Sequence, residues 1–292
     1  VEGVVTSAPV FVLGHARSGT TLVQRVLNSY DDVLVWGEHA GIVRPLADAY
    51  FTGLATPNLF KHARPLAEVL RDSAAASSWQ AWMTWLGPNE WPVAFRRMLE
   101  TVFVPDGLPG KRVWGFKEIR YGAEPGDRTL AFLHALWPDA RFAFVVRNPL
   151  NTFASHKRMP GGAGTLRALV QQTARWSRRY AHYREFAQSS GANCHWIVYE
   201  ELVDGRGAIH DLVADLGHAF GDAQRAVIAS DEGRGSSFSD GDVHDRWTRL
   251  PLLWRAVLDA GLGAQMPAWG YARPSLALPV RWLGRATRRA LA

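Results

Sequence analysis

The chain has 292 residues, 47% of them in the hydrophobic set, with 33 Lys plus Arg against 27 Asp plus Glu and a formal net charge of +6. That apolar content, with 13 Trp and 13 Phe and only 21% charged residues, excludes a mostly disordered chain and is enough to bury a real core. A single cysteine, Cys194, excludes an internal disulfide framework and any multi-cysteine metal site, and points weakly to a reducing compartment.

No stretch approaches the roughly 18 consecutive apolar residues of a membrane-spanning helix, and the opening VEGVVTSAPVFVLG lacks a basic n-region, so a soluble, cytoplasmic protein is expected. A pI near 9.8 implies mild attraction to anions. The Lys and Arg are scattered rather than run together, which argues against a nucleic-acid binder and for a small phosphorylated partner in one pocket.

Short apolar runs alternate with longer helical patterns. Strands are expected at PVFVLG (9–14), VLVW (33–36), RVWGFK (112–117), RFAFVV (141–146) and HWIVY (195–199). Helices are expected to start near Gly19, Arg128, Pro149, Leu166, Gly207 and Asp222. Continuously apolar strands separated by helices predict an α/β fold, with a central parallel sheet covered by helices on both faces in three layers. The absence of repeats and of an interdomain linker favours one domain over 1–292.

The segment from about 51 to 110 breaks the alternation and reads as a helical, Trp-rich insertion. Trp79, Trp82 and Trp85 share a helical face, and Trp91 follows. These residues are open to two readings, core packing or an aromatic wall for a ring-bearing acceptor.

The first chemical motif is GHARSGTTL, Gly14 to Leu22, directly after an apolar strand and opening an amphipathic helix. A strand, a Gly-bounded loop and a helix N-terminus converge backbone N–H groups and the helix dipole on an anion. His15, Ala16, Arg17, Ser18, Gly19, Thr20 and Thr21 are therefore candidate ligand contacts. The spacing imitates a Walker A loop, but Thr20 stands where the usual Lys would be, which disfavours a nucleoside triphosphate. Arg17 instead offers a guanidinium fork suited to a shorter anion.

The second motif is RFAFVVRNPLNTFASHKR, Arg141 to Arg158. Arg147 stands at the carboxyl end of a buried strand, where open α/β sheets bind ligands, and Ser155 lies two turns into the next helix. Together they are placed to grip a second phosphate.

These residues resemble the sulfotransferases that use 3′-phosphoadenosine 5′-phosphosulfate (PAPS). The first motif resembles the family's 5′-phosphosulfate loop, Arg147 with Ser155 resembles its 3′-phosphate site, and IVYEELV (197–203) resembles its strand-Tyr-Glu-x-Leu segment. The resemblance runs from about Pro9 to about Val203 and implies a P-loop-like sulfotransferase fold, with PAPS as donor and 3′,5′-adenosine bisphosphate (PAP) as product.

Within the family the likeness is to the branch of tyrosylprotein and bacterial carbohydrate sulfotransferases. In NSYDDVLVWGEH, Glu38 falls at that branch's Gly-Glu pair, which implies a general base for the acceptor hydroxyl; a carboxylate just past a strand end beside the anion loop also suits that role. His15 and His39 are rival bases. Lys117 in VWGFKEIRY matches a Lys near the reacting sulfuryl group, where an ammonium aided by Arg17 would counter charge on the leaving oxygen. Glu118 is a partner for Lys117 or for Arg120.

Tyr199 matches a position near the cofactor and equally suits a buried structural tyrosine. Arg234 and Ser236, in DEGRGSSFSDGDVHDRW (231–247), match the family's closing loop only weakly. Ala16 departs from the pattern, which usually carries Pro there. The family implies a small-molecule or glycan acceptor hydroxyl, and no metal site is expected, since the sequence has neither H-E-x-x-H nor a Cys/His cluster.

Two other functions fit the same cradle. A nucleotide-dependent kinase is disfavoured by the missing loop Lys and by the lack of an Asp ending a strand to hold Mg²⁺. A non-catalytic nucleotide-binding module would need neither Glu38 nor Lys117. The closing segment LALPVRWLGRATRRALA spaces Arg281, Arg285, Arg288 and Arg289 at helical intervals, which fits a surface helix or peripheral contact with an anionic membrane.

Overall fold

A computed structural model describes residues 8–56, 58–72, 84–105, 108–156, 165–230 and 250–272. The chain begins with strand β1 (Val10–Gly14), helix α1 (Thr20–Leu27), β2 (Val33–Trp36), and helices α2 (Val43–Ala55), α3 (Leu66–Asp72) and α4 (Glu90–Phe103). It continues through β3 (Val113–Glu118), α5 (Thr129–Leu136), β4 (Arg141–Val146), α6 (Pro149–His156), α7 (Leu166–Ser189) and β5 (Asn193–Val198). Helices α8 (Tyr199–Val203), α9 (Ile209–Asp215), α10 (Asp222–Ala229) and α11 (Leu252–Leu262) follow.

The strands form one five-stranded sheet in the order β2-β3-β1-β4-β5, with every neighbouring pair parallel. Side chains alternate faces along each strand, and here the two faces differ in size. Phe11, Trp114, Phe116, Phe142 and Phe144 point into a large aromatic core with α2, α4, α5, α6, α7 and α11. Val10, Val12, Val35, Val113, Ala143 and Val145 point into a smaller aliphatic core with α1, α9 and α10. The expected three-layer α/β/α arrangement is what this alternation produces.

The layering sets the site. After β1 the chain turns into α1 on the aliphatic face, whereas after the adjacent β4 it turns into α6 on the aromatic face. Helices leaving neighbouring strands in opposite directions open a crevice at the strands' carboxyl ends. Edge strand β2 is finished by α1: Asn28 accepts from the Val35 N–H at 2.6 Å and donates to the Val35 carbonyl at 3.0 Å, with Gln24 donating there at 2.9 Å. Those amide side chains take the place of a sixth strand.

Strand β1 starts one residue later than expected and β3 is shifted by one residue, whereas both ends of β5 differ for a structural reason. Strand β5 starts at Asn193, because that polar residue pairs in register with Arg141 and donates to Asp215 at 2.9 Å, so its strand position is not apolar. Tyr199 is the first residue of α8 and not a strand residue, because the β4 partner strand ends at Val146, opposite Val198. Between β2 and β3 lie α2, α3 and α4, joined in the described part of 51–110 by turns, loops and an isolated bridge between Ala63 and Thr84. Trp91 is packed there, its ring 4.9 Å from Phe95 and its indole N–H donating to the Tyr50 carbonyl at 3.0 Å, whereas Trp85 is exposed. Trp79 and Trp82 lie outside the described residues, as does the Arg281–Arg289 segment. Among the described residues no helix is long and apolar enough to cross a membrane.

Candidate active site

The loop after β1 is shaped by left-handed backbone. Arg17 (φ 69°) and Gly19 (φ 100°) both take conformations that disfavour a side chain, and the Ser18 N–H closes the turn on the His15 carbonyl at 3.0 Å. Gly19 then caps α1, its carbonyl accepting from the Leu22 and Val23 amides at 2.9 and 3.2 Å. The N–H groups ahead of Leu22, at the very start of the helix, have no intrahelical partner by construction, which makes this end electropositive. Gly14 is also required: a methyl group there would sit 2.6 Å from Ser18 Oγ and 2.9 Å from the Val145 carbonyl.

A residue far along the chain holds this loop. The buried Tyr180 hydroxyl accepts from the His15 N–H at 3.3 Å and donates to the Val145 carbonyl at 2.6 Å, tying β1's exit to β4. Burial pushes the Tyr180 phenol up to about 12, so it stays protonated and able to donate. His15 itself is buried, with its ring against Phe153 and its Nδ1 2.8 Å from the Ala16 carbonyl.

At the end of β4, Arg147 is 1% exposed and donates from Nη1 to the Arg17 carbonyl at 3.2 Å. Its guanidinium lies 4.3 Å from the centre of the Tyr199 ring, a cation–π stack, and that ring in turn packs on Gly19, where a methyl group would overlap it. Arg17 Nε donates to Ser155 Oγ at 3.1 Å, so α6 also contacts the loop. The turn between β4 and α6 is pinned by Glu200, which accepts from the Asn148 N–H at 3.0 Å and from the Tyr271 hydroxyl at 2.8 Å.

The third element is β3. Its odd residues face the aliphatic side, so Lys117 points toward α1 and Glu118 toward the aromatic side. Lys117 Nζ lies 2.6 Å from Glu38 Oε1 and 3.5 Å from Thr21 Oγ1. Glu38 sits two residues beyond β2 at an exposed position, and its Oε2 accepts from Arg120 Nη1 at 3.1 Å. Glu118 pairs with Arg120 at 2.7 Å, not with Lys117. The His39 ring turns away into the aromatic side, 4.5 Å from Phe116 and 5.2 Å from Phe103, and burial holds its pKa below the ordinary imidazole value.

The structure thus brings Arg17, Ser18, Gly19, Thr20, Thr21, Glu38, Lys117, Arg147, Ser155 and Tyr199 to the carboxyl ends of β1, β2, β3, β4 and β5. His15 and Ala16 are in the same loop, His15 facing inward. Arg234 and Ser236 lie outside the described residues. Tyr180 and Tyr271 support the site without any sequence signal, and Glu200, though it is the Glu of the Tyr-Glu-x-Leu segment, does so through partners that no local pattern announces, because these bonds span at least 35 residues of chain.

Residues 9–222 match the model of the sulfotransferase family. The sulfotransferase domain of the Synechococcus PCC 7002 olefin synthase is similar in fold, with a TM-score of 0.50, 17% identity, and coverage of 98% of this chain and 93% of that one. A sulfotransferase from Alicyclobacillus acidocaldarius superposes with a TM-score of 0.42 and 17% identity over 91% of this chain and 99% of its own. A mouse sulfotransferase solved in complex with PAP gives 0.43 and 14% over 97% and 88%. Among curated proteins none matches the chain significantly. With 9–222 of its 292 residues matched and the parallel α/β sheet in place, this chain belongs to the sulfotransferase family.

Proposed function

We propose that this enzyme moves the sulfuryl group of PAPS to a hydroxyl of a small-molecule or glycan acceptor. The observation that carries the reading is the position of Lys117, whose ammonium meets the Glu38 carboxylate at 2.6 Å and the anion loop at Thr21 at 3.5 Å. One cation therefore stands between a base and an anion cradle, the arrangement that group transfer to a hydroxyl calls for.

In this reading the amides of 15–21 with Arg17 hold the 5′-phosphosulfate, and Arg147 with Ser155 holds the 3′-phosphate. Tyr199 buttresses both through its contacts with Gly19 and Arg147. The cradle suits such a donor: it offers two guanidinium groups and a helix N-terminus, with no carboxylate in 14–21 to repel an anion. Arg234, which lies outside the described residues, is assigned to the donor only by its weak likeness to the family's closing loop.

Glu38 takes the proton from the acceptor hydroxyl as the new O–S bond forms. The S–O bond to the 5′-phosphate breaks, its electron pair stays on the phosphate oxygen, and Lys117 and Arg17 neutralise the charge that develops there. PAP then leaves. Glu38 is preferred to the histidines because both rings face inward, His15 onto Phe153 and His39 onto Phe116.

The test is transfer of label from radiolabelled PAPS to a panel of sugars, alcohols and phenols. Glu38→Gln should lower transfer by about 10²–10³-fold while PAP affinity changes little. Transfer by Glu38→Gln at the wild-type rate would remove Glu38 as base, and PAP binding with no transfer to any acceptor or to water would favour a non-catalytic nucleotide binder.

A further inference from the structure

Glu118 ends β3 with its side chain fully buried. A carboxylate withdrawn from water is strongly disfavoured unless donors surround it. Four do. Oε1 accepts from the Ile119 N–H at 2.7 Å and from Arg120 Nη1 at 2.7 Å. Oε2 accepts from the Gly41 N–H at 2.8 Å and from the His39 N–H at 3.3 Å. Burial alone would raise its pKa, but the bonds from Ile119, Arg120 and Gly41 outweigh burial and hold it below the ordinary carboxylate value.

Two of those donors belong to the turn that carries Glu38, and a third bridges to Glu38 itself. Ala40 (φ 58°) and Gly41 (φ 74°) are both left-handed, and at Ala40 that conformation is disfavoured, so neighbouring contacts must hold it. The Glu118 carboxylate binds the amides on either side of Ala40. The Arg120 nitrogen bound to Glu118 is the one that meets Glu38 Oε2 at 3.1 Å. Arg120 is otherwise half exposed, and a long cation in water has no fixed position of its own.

We propose that Glu118 is a positioning residue for Glu38: it fixes the 38–41 turn through the His39 and Gly41 amides and fixes Arg120 where that guanidinium meets the Glu38 carboxylate. The proposal rests on the reading of Glu38 as the base. Glu118 touches no substrate in this account; it acts through Glu38 by setting where the carboxylate stands relative to Lys117, and a small misplacement of a base costs much of its effect.

A double-variant cycle on the intact chain tests this. The rate is read as release of inorganic sulfate from radiolabelled PAPS with water as acceptor, and PAP affinity is read in parallel by calorimetry. Glu118→Gln should lower the rate on the order of 10²-fold, leave PAP affinity within about twofold of wild type, since Glu118 lies outside the donor cradle, and lower the rate no further when combined with Glu38→Gln. Arg120→Gln removes only the bridging arm and should show the same non-additivity with a smaller loss; it carries the test if Glu118→Gln does not fold. A loss that multiplies onto that of Glu38→Gln would assign Glu118 to general stability and overturn the proposal, as would a wild-type rate in Glu118→Gln, or in Arg120→Gln where that variant carries the test. If Glu38→Gln alone releases sulfate at the wild-type rate, the base reading fails and takes this proposal with it, a result distinguishable from failure of the coupling.

Discussion

Arg17 Nε donates to Ser155 Oγ at 3.1 Å, across 138 residues of chain. This bond, with the one from Arg147 to the Arg17 carbonyl, joins the anion loop after β1 to the end of β4, so the two halves of the proposed donor site are one structure. Ser155→Ala removes the partner that orients the Arg17 guanidinium. PAP affinity should fall about tenfold, ~1.4 kcal/mol, close to the lower end of the values for a hydrogen bond to a charged group. Calorimetry checks it, and an unchanged Kd would mean that Ser155 only decorates α6.

Lys117 is proposed to counter charge on the leaving phosphate, so its removal should act on turnover more than on binding. Lys117→Met preserves the buried stem and deletes the ammonium. The expected loss in kcat is on the order of 10²-fold, with a smaller change in PAP affinity. Equal losses in kcat and in PAP affinity would make Lys117 a binding residue only.

Tyr180→Phe deletes a buried hydroxyl that serves both His15 and Val145. Loss of these bonds should cost about 1–3 kcal/mol of stability, read from denaturant unfolding, and should weaken PAP binding because the His15 N–H helps set the loop. A variant as stable as wild type would show that the loop holds its shape without α7.

Gly19→Ala meets two obstacles, a φ of 100° and the Tyr199 ring. The backbone alone should cost about 1–3 kcal/mol, and displacing the ring would disturb the stack with Arg147 at 4.3 Å. PAP binding should be lost or strongly weakened in titrations that the wild type saturates.

Stability should fall on acidification. Burial, outweighing the attraction of Asp215 2.9 Å away, holds His195 below its ordinary value of 6.5, and burial likewise depresses His39. The unfolded chain then takes up protons before the folded one does, so stability is lost as pH drops through about 6.5. At lower pH the carboxylates add to this: Asp215, held down first by its bond from Asn193, and Glu118 both have depressed values whose stabilisation disappears as they protonate. Tm measured from pH 8 to pH 4 should decline on the acid side, and His195→Gln should flatten the part near pH 6. A Tm that rises on acidification would contradict the sign.

Much of the fold was legible because it rests on local patterns. Runs such as RFAFVV are apolar on both faces, and the six helix starts read from Gly19 to Asp222 fall within two residues of those observed. The loop was legible for the same reason, since its Gly and Arg spacing follows a strand. Tyr199 was misplaced because β5 stops where β4 stops, a tertiary fact invisible in HWIVY. The supports were illegible for a related reason: nothing near Tyr180 or Glu200 in sequence announces a partner in another layer. For Glu118 the sequence offered Lys117 or Arg120 as partner; the alternation of β3 decides it by sending Lys117 and Glu118 to opposite faces.

The most direct test of the donor site is calorimetric titration of wild type and Arg147→Ala with PAP, and of wild type with Mg-ATP. PAP should bind the wild type, Arg147→Ala should weaken that binding by about tenfold or more while the variant stays folded, and Mg-ATP should bind far more weakly. Binding of Mg-ATP but not PAP, or PAP binding unaffected by Arg147→Ala, would contradict the proposed donor site.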